Sequence, residues 1–219
     1  MIHHLEADSI QLQIDNRNIL SNIYLSSETG KITGLLGRNG QGKSCLLNIL
    51  YGTMPCESSV RIDRVSIKDA YQKPDLLRYL PQFNFIPKSL TLKRVFQDFA
   101  LDFSIFTEKF PGFTENLSTR VGTLSGGEQR LVALYILVKS NSLFVLLDEP
   151  FTHLSPIQIE MVKHLLLEEK ENKGILLTDH LHRQVMDICD NLYVLANGKT
   201  HLIKSETDIE ALGYAKMHP

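Results

Sequence analysis

Residues Gly37-Arg38-Asn39-Gly40-Gln41-Gly42-Lys43-Ser44 constrain this chain more than any other stretch. They fill every fixed position of G-x-x-x-x-G-K-[ST], the phosphate-binding loop. An apolar run (Ile32, Leu35, Leu36) precedes them and a helix-like run (Cys45, Leu46, Leu47, Ile49, Leu50) follows. Strand, loop and helix in that order are what the chemistry needs. Glycines let the backbone turn tightly enough to aim its N–H groups at phosphate oxygens, and the helix N-terminus adds partial positive charge. Lys43 is placed to neutralise the β- and γ-phosphates, and the Ser44 hydroxyl to ligate Mg²⁺. Gly37 through Ser44, with Cys45 in the first helical turn, are therefore expected to bind a nucleoside triphosphate.

The rest of the chain supplies the scaffold such a loop requires. Residues 8–27 read as two strands around a turn at Asp15-Asn16-Arg17-Asn18, and Val60, Ile62, Val65 and Ile67 as short strands. Leu76 to Leu80 is a strand that stops at Pro81-Gln82, and Pro87 to Gly122 is irregular and helical. Helices are expected over Gln129–Lys139, Pro156–Lys170 and Leu181–Cys189, with buried strands at Leu143–Leu147 and Ile175–Thr178. A hairpin turns at Asn197-Gly198, and a last short helix is expected over Asp208–Tyr214. Strands alternating with helices indicate an α/β fold with a mainly parallel sheet. With 219 residues and no Pro/Gly/Ser-rich linker, one domain is expected, carrying an inserted helical region.

Composition narrows the function. A net charge of −2 with scattered Lys and Arg gives no field for holding nucleic acid, so no nucleic-acid partner is expected. Cys45, Cys56 and Cys189 form no C-x-x-C pair and suit reduced thiols in the cytoplasm. The longest apolar run, Leu131 to Val138, is far short of the ~20 residues that cross a bilayer. The N-terminus lacks the basic start and apolar stretch of a signal peptide. Work at a membrane is thus expected only through a partner.

Downstream lie further signals in a set order. Leu143-Phe144-Val145-Leu146-Leu147-Asp148-Glu149 is an apolar run ending in two acids, which emerge at the C-terminal end of a buried strand, where α/β folds bind ligands. Asp148 is placed to hold Mg²⁺ and Glu149 to polarise an attacking water. Leu124-Ser125-Gly126-Gly127-Glu128-Gln129-Arg130 sets a serine and two glycines at a helix start, a second ready-made anion site. His180 and His182 stand two apart with no third ligand, so no histidine metal site is expected.

With both motifs present, the chain resembles the nucleotide-binding subunit of an ABC transporter, and the resemblance runs from the first hairpin to the Asn197-Gly198 turn. It implies a P-loop NTPase fold: a RecA-like core, an antiparallel β edge and a helical subdomain inserted at about 88–139. It also implies that Ser125, Gly126, Gly127 and Glu128 grip the γ-phosphate of ATP bound to the opposite protomer. By position Gln82 matches the glutamine that touches Mg²⁺ and water, and His180 the histidine that contacts the γ-phosphate. The implied activity is ATP hydrolysis with Mg²⁺ in a head-to-tail dimer, the second subunit identical or different. Hydrolysis would drive solute through a separate integral membrane permease. Glu149, His180 and Lys43 would be catalytic, Ser44, Gln82 and Asp148 would hold the metal, and the protein would sit on the inner face of the membrane. The alternative is a soluble ABC-type ATPase of the iron–sulfur assembly kind. Two departures from the family pattern bear on function: Ile14 stands where an aromatic usually stacks on adenine, and Ser155 where an aspartate usually crosses the dimer interface. The second is expected to weaken coupling between two ATP sites.

Overall fold

The computed structural model describes residues 1–205 and Asp208, so the helix expected over 208–214 lies, apart from Asp208, outside the described residues. The chain opens with a long hairpin, β1 (His4–Ile14) and β2 (Arg17–Glu28). Its turn is the two-residue Asp15-Asn16 link with φ of 47° and 61°, so β2 begins at Arg17, earlier than expected. Positive φ at both central residues matches the right-handed twist of the strands, and Asp and Asn tolerate it. After β3 (Ile32–Leu36) and α1 (Lys43–Tyr51) come β4 (Glu57–Ile62), β5 (Val65–Ser66) and β6 (Leu77–Leu80). The irregular stretch contains two short helices, α2 (Leu92–Asp98) and α3 (Phe103–Lys109), capped by the side chains of Thr91 and Asp102. Then follow α4 (Gly126–Lys139), β7 (Phe144–Asp148), α5 (Pro156–Glu169), β8 (Gly174–Thr178), α6 (His182–Met186), β9 (Asn191–Ala196) and β10 (Lys199–Ile203).

Several boundaries differ from expectation, two of them for clear local reasons. Helix α4 starts three residues before Gln129 because Ser125 and Glu128 form a capping box that closes its first turn. Helix α6 ends at Met186 rather than at Cys189, since the chain must return to the sheet at Asn191.

The strands make two sheets. One is antiparallel, in the order β2-β1-β4-β5; the other runs β10-β9-β3-β8-β7-β6. In the second, β9, β3, β8, β7 and β6 are mutually parallel and β10 closes an antiparallel hairpin on the edge. Alternation along the central strands separates two cores. Phe144, Leu146 and Leu176 face α1 and the antiparallel sheet. Val145, Leu147, Ile175 and Leu177 face the layer of α4 and α5. Every residue of β3, β7 and β8 is buried, as a parallel sheet covered on both faces requires.

The helices between β6 and β7 dock through aromatic rings. Phe106 lies with its centroid 4.8 Å from Tyr135 of α4, 4.9 Å from Phe113 and 5.0 Å from Phe96. Each such pair adds about 1 kcal/mol beyond area burial. This cluster supplies the core that two seven-residue helices cannot build alone. Strands β3, β7 and β8 meanwhile end side by side, delivering Gly37, Asp148 and Thr178 to one edge of the sheet.

Candidate active site

At that edge is a cavity of about 380 Å³ whose floor includes Asn39, Gly40, Gly42, Lys43 and Ser44. Gly42 has φ of 98°, and a Cβ there would stand 2.8 Å from Ile19 Cγ2, so only glycine fits. It is also the N-cap of α1 and contributes no side-chain cap, and α1 has no acid in its first turn. The exposed N–H groups and the helix dipole are thus left to an external anion. Lys43 is folded over the loop, its Nζ donating to Gly37 O at 2.7 Å and Arg38 O at 3.3 Å. Burial lowers its pKa, and nearby Glu149, Asp148 and Asp179 oppose the shift. An anion brought to this loop would supply a directly hydrogen-bonded negative charge where the lysine now bonds only carbonyl oxygens.

Asp148, at the end of β7, is only 2% exposed. Its Oδ2 accepts from Tyr79 Oη at 3.2 Å, while Oδ1 is buried with no partner. Burial raises its pKa, and hydrogen bonds from Ser44 and Tyr79 pull it back. Gln82 reaches the same point, its Nε2 donating to Ser44 Oγ at 3.4 Å. An orphaned carboxylate oxygen beside a hydroxyl and a carboxamide is a donor set of hard oxygens, and it fits Mg²⁺.

Glu149 completes the cavity wall. Its backbone is left-handed, φ 50°, which costs a non-glycine residue about 1–2 kcal/mol. Several contacts hold it there. Glu149 N donates to Thr178 O at 2.7 Å, Thr152 Oγ1 donates to Glu149 Oε2 at 3.3 Å, and Arg130 Nη2 donates to Glu149 O at 2.8 Å. His180 Nδ1 lies 3.7 Å from Glu149 Oε2 and 3.3 Å from Asp179 Oδ1, so the histidine and the glutamate share one corner. Fully buried Asp179 ties the two loops together. Its Oδ2 accepts from Phe151 N, just past Glu149, and its Oδ1 from Leu181 N, just past His180, both at 2.9 Å. Burial pushes the Asp179 carboxyl up.

The structure thus brings Asn39, Gly40, Gly42, Lys43, Ser44, Cys45, Gln82 and Glu149 onto one cavity. Asp148 lies against it through Ser44 and His180 through Glu149. Ser125, Gly126, Gly127 and Glu128 do not line it. They start α4, where Ser125 Oγ accepts from Glu128 N at 3.3 Å and Glu128 Oε2 accepts from Ser125 N at 2.7 Å. Ser155 likewise caps α5 in a box with Gln158. Ile14 and Ile19 line the same cavity with aliphatic side chains. Tyr79, Arg130 and Asp179 join the site without a sequence signal that assigns them a role. Tyr79 precedes Pro81-Gln82 at a strand end, and Arg130 is the one charge before eight apolar residues; neither pattern by itself names a partner.

A glycine loop feeding α1, with carboxylates at the ends of the neighbouring parallel strands, defines a P-loop nucleotide-hydrolysing protein. Within that class the chain belongs to the ABC transporter family, whose model matches residues 20–152. It is an ATP-binding subunit of that family, an ATPase coupled to transport. It is 30% identical to the lipopolysaccharide export system ATP-binding protein LptB of Escherichia coli, over 95% of this chain and 92% of that protein. It is 28% identical to the high-affinity branched-chain amino acid transport ATP-binding protein BraG of Pseudomonas aeruginosa, over 89% and 90% of the two chains. A solved ATP-binding subunit of an ABC transporter superposes with a TM-score of 0.79 over 96% of this chain and 93% of that one; at 22% identity this likeness speaks for the fold. These relatives support the transport-coupled reading over the soluble alternative.

Proposed function

We propose that this chain binds MgATP in the cavity at Lys43 and Glu149 and hydrolyses it as half of a head-to-tail dimer seated on a membrane permease. The observation that carries the reading is the orphaned, buried Asp148 Oδ1 beside Ser44, one step from the general-base candidate Glu149. Mg²⁺ would be held by Ser44, Asp148 and Gln82, and when bound it neutralises charge on the β- and γ-phosphate oxygens. Lys43 shares that task from the loop. Glu149 orients a water for in-line attack on the γ-phosphorus and takes its proton, while the bond to the β-phosphate oxygen breaks and ADP leaves with inorganic phosphate. His180, beside Glu149, is placed to hold the water and the γ-phosphate together.

The dimer follows from what the cavity lacks. The Ser125-Gly126-Gly127 turn is an anion site that its own nucleotide cavity does not use. Among the described residues no helix is long and apolar enough to cross a membrane, so contact with the bilayer would run through a permease. That partner would place the subunit on the cytoplasmic face and would choose the solute.

Glu149→Gln tests the reading. Turnover should fall about a thousandfold while MgATP affinity stays within threefold. Trapped with MgATP in the native host, the variant should co-purify with a multi-span membrane protein. Wild-type turnover would remove Glu149 as the base, and a purely soluble partner would move the protein to the assembly-factor class.

A further inference from the structure

Arg130 sits one turn into α4, only 6% exposed, among buried Leu131, Val132, Ala133 and Leu134. Its guanidinium bonds backbone carbonyls rather than a carboxylate partner. Nη1 donates to Pro81 O at 2.5 Å, and Nη2 donates to Asp148 O and, at 2.8 Å, to Glu149 O. Burial lowers its pKa to about 10, and Nε is left buried without a partner. An apolar residue would fill this place at far lower desolvation cost. What the arginine adds is a set of three hydrogen bonds to the carbonyls that bracket the active site. Pro81 immediately precedes Gln82, and the other two belong to the metal-site aspartate and the left-handed glutamate.

We propose that Arg130 is a positioning residue that fixes the backbone of Glu149 and Gln82 to the helix carrying Ser125-Gly126-Gly127. Because α4 is one continuous helix from Gly126 to Lys139, a shift of its first turn is carried to the guanidinium. Ordering of the Ser125 turn would therefore set the geometry of hydrolysis in the same chain. This second step rests on the proposed head-to-tail dimer, in which that turn meets the nucleotide of the other subunit.

Arg130→Met keeps the length and apolar stem and removes all three donors; Arg130→Lys keeps an ammonium able to reach part of the set. For full-length protein, MgATP Kd, KM, kcat and the Hill coefficient of ATPase activity are measured for both variants and the wild type. The expected result is a kcat lower by at least about tenfold in Arg130→Met with Kd and KM within threefold, and partial recovery in Arg130→Lys. A cooperative wild type should lose its cooperativity in Arg130→Met. Wild-type kcat in Arg130→Met would overturn the proposal, as would parallel loss of MgATP binding and thermal stability in both variants, which marks a packing role only. A Hill coefficient of one in the wild type, the outcome of full uncoupling at Ser155, overturns the link between sites and leaves kcat as the test of Arg130. Cooperativity that survives Arg130→Met breaks the link between sites and leaves the dimer standing.

Discussion

Helices α1 and α4 both begin at glycines, yet their first turns are built in opposite ways. At α1 the cap is Gly42, no side chain bonds the free N–H groups and no acid stands in the first turn. At α4 the Ser125–Glu128 box takes the N–H groups of Ser125 and Glu128 and sets a carboxylate against the positive end of the dipole. The first arrangement is an anion site that stays open because the helix has not satisfied itself; the second is a helix stable without any ligand. Helix α5 repeats the second solution with Ser155 and Gln158. A capped turn still offers the N–H groups of Gly126 and Gly127, but phosphate must share the end with Glu128. On the proposed reading the two sites suit different tasks: the P-loop would hold nucleotide by itself, and the α4 turn would engage when a partner brings one.

The contrast is broken or sharpened first at its glycines. Gly42→Ala should lower MgATP affinity about a hundredfold and cost about 1–2 kcal/mol of stability, because φ of 98° and Ile19 both oppose a methyl. Gly126→Ala meets open space, so it should leave stability and MgATP affinity of the isolated subunit unchanged. Equal effects of the two substitutions, read by nucleotide titration and thermal melts, would end the distinction.

The far end of α4 gives the next effect. Lys173, 3% exposed, donates from Nζ to Ser140 O at 2.5 Å, just past the helix, and burial lowers its pKa to about 8. Above pH 8 the folded protein has released this proton while the unfolded chain, with an ordinary lysine, keeps it until about pH 10.5. Stability from this group therefore rises with pH across that window. The gap between wild type and Lys173→Met should move by about 2 kcal/mol in favour of wild type between pH 7 and 9.5. A constant gap in denaturant melts would show that the lysine keeps its charge.

Ser155→Asp should also change stability little. Aspartate caps as well as serine, so α5 should hold within about 0.5 kcal/mol. Cooperativity of ATP hydrolysis should nevertheless rise, since the change restores the charge expected at the subunit interface. An unchanged Hill coefficient would sink the coupling role assigned to Ser155.

What could be read without coordinates followed from local chemistry. Gly37–Ser44 could be recognised because glycine positions, lysine and serine act through sequence-adjacent atoms, and β7 because apolar residues run into Asp148-Glu149. The start of α4 is legible at Ser125-Gly126-Gly127 as a helix-start motif, while the apolar pattern by itself begins only at Gln129. The short helices around Phe96 and Phe106 are legible as an irregular, helical stretch without bounds, since their stability comes from rings converging on Tyr135 and not from propensity.

The sequence by itself determined the fold class and the nucleotide loop, because period, glycine and strand-end acids act over a few residues. Tertiary structure alone decided that Tyr79 supports Asp148, that Asp179 ties the Glu149 loop to the His180 loop, and that Arg130 reaches back to Pro81. Each of these contacts joins residues that only the ordering of parallel strands and the crossing of α4 make neighbours. A buried donor or acceptor takes whatever partner the packing leaves within 3 Å, and no spacing in a sequence records which one that is.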